Sequence, residues 1–70
     1  MKHIEATMAG TVLNFLVQEG DNVKAGDTVA LLESMKMEIP IESNVDGVVS
    51  EIKAGSGDFV NEGDVLIVLA

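Results

Sequence analysis

Seventy residues without a cysteine, twelve of them acidic against four basic for a formal charge of −8, describe one small domain that no disulfide holds together. The acid excess excludes a nucleic-acid binder and an anionic-membrane binder, because phosphate contacts need clustered Lys and Arg. The longest apolar run, residues 65–70, is far too short for a membrane span, and residues 1–10 lack the apolar stretch of a secretion signal.

A chain of this size hides only about 60% of its unfolded surface, so it depends on a well-organised core. Val, Ile and Leu supply that core. The acidity itself reads as solubility. The lack of cysteine fits a reducing compartment, and the cytoplasm is the expected location.

In chain order, residues 11–17 form the first clear strand signal, rich in β-branched residues. Val12 and Phe15 stand three apart, which breaks strict alternation and predicts a bulge that bends the strand and lets it serve two sheets. Gly20-Asp21 and Gly26-Asp27 follow as tight turns, the glycines supplying positive φ and the aspartates accepting from nearby backbone N–H groups. Calcium or phosphate binding is the functional alternative, but the spacing is no EF-hand loop and no Walker-type Gly-Lys-Ser/Thr is present. Residues 28–32 read as the next strand. Residues 33–40 then place Lys36 between Met35 and Met37, with acids outside them.

Beyond this point the chain repeats itself. Residues 4–32 laid over 41–69 give ten identities in twenty-nine pairs: Ile4-Glu5 with Ile41-Glu42, Gly10-x-Val12 with Gly47-x-Val49, Gly20-Asp21-x-Val23-x-x-Gly26-Asp27 with Gly57-Asp58-x-Val60-x-x-Gly63-Asp64, and Leu32 with Leu69. Strands at 47–52 and 65–69 therefore answer those at 11–17 and 28–32. No segment holds a helical period over a dozen residues. The expected fold is all-β, a single domain over 1–70 whose halves pack about a pseudo-twofold axis as a small sandwich or flattened barrel. That symmetry makes 33–40 a protruding hairpin, remote from two adjacent chain ends.

Catalytic groupings are poor. His3 stands alone, Ser34, Ser43, Ser50 and Ser56 have no evident base partner, and the carboxylates follow from composition. An enzyme is not expected. Lys36 is the candidate of interest: an exposed ε-amine at a tip can enter another protein's active site and be acylated there. The flanking methionines offer a flexible, polarizable surface for that protein. Against this stands a merely solvated lysine, with one methionine turned inward by strand alternation.

Glu33-Ser34-Met35-Lys36-Met37 closely resembles the attachment motif of biotinyl domains, Glu-Ala-Met-Lys-Met. Gly10-Thr11-Val12, Glu19-Gly20-Asp21-x-Val23-x-x-Gly26-Asp27 and Gly47-Val48-Val49 also match that family, and the resemblance covers residues 4 to 69. It implies a barrel-sandwich hybrid of two four-stranded antiparallel sheets, with Lys36 on a hairpin turn as the covalent attachment point. It further implies that a biotin protein ligase activates biotin with ATP as an acyl-adenylate and joins it to Lys36, with Glu33, Ser34, Met35 and Met37 recognised by the ligase or later partners. Those partners are a biotin carboxylase and a carboxyltransferase, between which the attached biotin shuttles carboxylate.

Two positions depart from the pattern. Ser34 replaces the usual alanine and resembles the lipoyl-domain turn, Glu-Ser/Thr-Asp-Lys-Ala, so lipoate attached by a lipoate ligase, alone or as a second cofactor, is the alternative. Thr7-Met8 stands where many members carry proline. A third possibility is an unmodified interaction module, like the lipoyl-like domains of membrane-fusion adaptors. The bare module beginning with methionine is expected to be a free-standing, monomeric attachment protein.

Overall fold

The computed structural model describes residues 2–70. Eight strands follow in order: β1 Lys2–Glu5, β2 Gly10–Phe15, β3 Asn22–Val23, β4 Thr28–Ser34, β5 Met37–Glu42, β6 Gly47–Ile52, β7 Phe59–Val60 and β8 Val65–Leu69. They form two four-stranded sheets, ordered β1-β8-β6-β3 and β5-β4-β2-β7, in which the strand pairs are antiparallel.

The 37-residue repeat becomes a spatial operation. It carries β1 to β5, β2 to β6, β3 to β7 and β4 to β8, and so turns one sheet order into the other. The halves do not each form a sheet; every sheet takes two strands from each half. Neither half therefore has a core of its own, and the buried cluster draws residues from all eight strands, including Ile4, Val12, Val23, Leu32, Ile41, Val49, Val60 and Leu69.

The loops obey the same symmetry. The Gly20 N–H donates to the Val49 carbonyl, and the Gly57 N–H donates to the Val12 carbonyl. Asp21 Oδ2 accepts from the Gln18 N–H at 3.0 Å, and Asp58 Oδ2 accepts from the Gly55 N–H at 2.9 Å. Gly20 and Gly57 hold φ of 94° and 91°, left-handed values that a Cβ disfavours. The Gly-Asp pairs are thus turn chemistry that locks one half onto the other.

The expected bulge is present in both halves. Pairing slips between Val12 and Asn14 in β2 and between Val49 and Glu51 in β6, leaving Leu13 and Ser50 as extra residues. This lets Val12 and Phe15 both turn toward the core. The bulged strands do not serve two sheets, however: β2 pairs only with β4 and β7 of its own sheet, and β6 with β3 and β8 of the other. A second pair of slips, at Val29 and Leu66, places both of these side chains fully inside. The hairpin is tighter than residues 33–40, because β4 runs on through Ser34 and β5 begins at Met37. The chain ends lie side by side, Lys2 opposite Leu69, at the place the pseudo-twofold relates to that hairpin.

Candidate functional site at the β4–β5 turn

The turn between β4 and β5 consists of two residues. Ser34 and Met37 are the last register pair, leaving Met35 and Lys36 between them with φ of 53° and 65°. Positive φ at both central positions defines a type I′ turn, whose twist matches that of the flanking strands. Such turns favour Asn-Gly, since a left-handed L-residue costs roughly 1–2 kcal/mol. Here a methionine and a lysine occupy both positions. Local stability did not select them.

Met35 is 89% exposed and Met37 59%. By alternation Met37 shares the inward side with Ile39 and Ile41, yet at the first position of β5 it stays exposed. Neither methionine joins the core, and so an inward-packed methionine is ruled out. Lys36 is exposed. Among the described residues the salt bridge joins Lys53 to Glu51, and Lys36 Nζ takes part in none. The amine is therefore held only through its backbone, on a tip that an active site can surround.

Below the tip, Glu33 of β4 faces Glu38 of β5 in direct register. Like charges so placed are unfavourable, and they give the base of the hairpin a negative field. Ser34 is half-buried at the end of β4. Gly10 explains how the hairpin is anchored: a Cβ there would sit 2.7 Å from the Glu33 carbonyl oxygen and 3.4 Å from Ser34 Cβ. Only a glycine lets β2 approach β4 this closely. Sequence reasoning missed the roles of Gly10 and Glu38, although the repeated Gly10-x-Val12 and Gly47-x-Val49 pattern marked the first.

The other candidates lie elsewhere. His3 stands on β1 opposite Val68 in the other sheet. Ser43 is buried, its hydroxyl donating to the Val45 carbonyl and accepting from the Val45 N–H. The arrangement can present an exposed amine for acylation.

Comparison with known proteins agrees with this geometry. The Biotin_lipoyl family model, described as "Biotin-requiring enzyme", matches residues 2–69. A biotin/lipoyl attachment protein of Bacillus subtilis is 51% identical over 67 residues, covering 96% of this chain and 92% of that protein. A biotin carboxyl carrier protein of Streptococcus mutans is 46% identical over 65 residues, covering 93% of this chain and 50% of that protein. Among solved structures, the urea carboxylase of Kluyveromyces lactis contains a segment that superposes with a TM-score of 0.91 at 30% identity, covering 99% of this chain and 6% of that one. A two-sheet barrel with a pseudo-twofold repeat, a lysine at the turn joining its halves, and a family match over nearly every residue lead to one assignment: this chain belongs to the biotin/lipoyl attachment family.

Proposed function

We propose that this protein is a carboxyl carrier that bears biotin on Lys36 and is loaded by a biotin protein ligase. The observation that carries this reading is the exposed Met35-Lys36 turn, which presents an amine outside any salt bridge among the described residues, at two positive-φ positions where stability alone would not choose these side chains. In the loading step the neutral amine attacks an activated biotinyl carbonyl. The N–C bond forms, the activating group leaves, and the nitrogen gives up a proton to the ligase. The formal charge then moves from −8 to −9 as one cation is lost.

Biotin supplies the carboxyl-carrying chemistry when attached; the chain supplies tethering. A group fixed to a protruding turn reaches two enzyme sites at high effective concentration without diffusing away. The two sites are those of a biotin carboxylase and a carboxyltransferase, with the carrier acting as a monomer in the cytoplasm. Met35 and Met37 offer apolar grips at either side of the amine, and Glu33 and Ser34 are read by the ligase or later partners.

Intact-mass measurement after expression with an active ligase and biotin tests this, followed by fragmentation to locate the adduct. One biotin-sized addition on Lys36 is expected; an unmodified chain with a ligase shown to be active refutes it. Ser34 favours a second reading, lipoate on the same lysine through a lipoate ligase. A lipoyl-sized addition in parallel cultures supplied with lipoate supports it, and none retires it.

A further inference from the structure

The pseudo-twofold gives each outward-facing residue of one sheet a counterpart on the other, so differences between the two outer faces are not dictated by the fold. The outer face of the hairpin sheet carries Leu13, Pro40 and Phe59; the counterparts 37 residues away are Ser50, His3 and Asn22. Phe59 is 66% exposed and Leu13 36%. Since Asn22 opens β3 in the same way as Phe59 opens β7, the backbone asks for no aromatic ring there. Leaving such a ring largely in water forgoes the free energy of its burial. Val48 runs the other way, an apolar residue where this face has Thr11.

This apolar face is continuous with the tip. Thr11 pairs with Phe59 on one side and with Glu33 on the other, and Glu33 pairs with Glu38. Register partners project from the same face. A single row therefore runs from Phe59 to the two opposed carboxylates at the foot of the hairpin, each step about 4.8 Å. A second copy of this chain is a poor occupant, because two surfaces of formal charge −8 repel. A protein that activates a carboxylic acid with a nucleotide must hold phosphate anions, so cationic groups gather around its active site. Those groups complement Glu33 and Glu38 when Lys36 enters.

The geometry points to the outer face of the β5-β4-β2-β7 sheet as the surface on which the loading ligase docks, with Leu13 and Phe59 as apolar anchors and Glu33 and Glu38 as the charged register. This rests on the proposed loading of Lys36 and adds the face by which the ligase is oriented. The symmetry also supplies the test. The double variant Leu13→Ser/Phe59→Asn places on this face the residues that its counterpart already tolerates on the same backbone. Val48→Ser removes an exposed apolar residue, 39% accessible, from the opposite sheet as a control.

The assay measures biotinylation by a biotin protein ligase, with ATP and biotin, as initial rates against carrier concentration by mass spectrometry. Circular dichroism and thermal unfolding check each variant. The double variant is expected to raise KM for the carrier by about tenfold or more at unchanged kcat, as loss of apolar anchors does. Val48→Ser should leave both constants alone. Rising salt should raise KM for the parent protein, and less so for Glu38→Gln. If the folded double variant keeps the parent KM, the docking face is wrong even though Lys36 is loaded. Should sedimentation show that the parent self-associates and the double variant does not, the face belongs to a second copy and the inference falls. A parent protein that is never biotinylated refutes the proposed function instead, and the two failures are thereby separable.

Discussion

Replacing Lys36 by glycine or by alanine separates the backbone of the attachment turn from its side chain. Lys36 sits at φ 65° with no salt bridge, so both substitutions remove the same exposed cation and leave only a backbone difference. Alanine retains the left-handed cost of roughly 1–2 kcal/mol. Glycine relieves it, but loses about 0.5–1 kcal/mol more conformational freedom on folding. The net expectation is that Lys36→Gly is more stable than Lys36→Ala by about 0–1.5 kcal/mol, the reverse of the usual order in a strand. For a domain of this size each kcal/mol moves Tm by about 4–8 °C, so the glycine variant should melt up to roughly 12 °C above the alanine variant. Thermal unfolding followed by far-ultraviolet circular dichroism, with urea titration for the midpoint, measures this directly. A more stable alanine variant would show that residue 36 is not held in the left-handed region and that the strained-turn account is wrong.

Lys36→Arg should abolish covalent loading, read by intact mass, while shifting stability by less than about 0.5 kcal/mol, because an exposed side chain contributes little to folding. Met35→Ala and Met37→Ala should likewise unfold within about 0.5 kcal/mol of the parent and yet slow loading or later transfer; a loss of several kcal/mol in urea would make that methionine a core residue. Gly57→Ala should cost up to about 1.5 kcal/mol net, the left-handed cost at φ 91° less the chain freedom that glycine loses on folding, since an added Cβ meets nothing within 4 Å. Gly10→Ala should act differently, forcing β2 away from the Glu33 carbonyl and lowering the loading rate together with stability. An unchanged loading rate in folded Gly10→Ala would show that the close β2–β4 approach does not position the turn.

Much of this was legible along the chain because it is encoded locally. A glycine before an aspartate announces a turn wherever the backbone must take positive φ, and the two that were repeated 37 residues later announced a second copy of the same unit. The three-residue step from Val12 to Phe15 announced the bulge, since two inward side chains at that spacing need one extra residue between them. Lys36 between the repeats followed from the same arithmetic. The resemblance of residues 33–37 to an attachment motif then gave that position its chemistry.

Other features depend on partners distant in sequence, and only the tertiary structure decided them. Bulges at Val29 and Leu66 were hidden inside continuous apolar runs, where every position reads as inward and pairing alone reveals the slip. Whether Met37 is core or surface turns on its position at the start of β5, not on its place in the alternation. The opposition of Glu33 and Glu38 exists only once the two-residue turn sets the register of β4 against β5. Because the sheets exchange strands between halves, neither half can bury its apolar side chains without the other. Local patterning thus determined the repeat, its turns and the lysine at its joint; cross-strand pairing decided that Glu33 and Glu38, at the foot of that lysine's turn, share a face with Phe59.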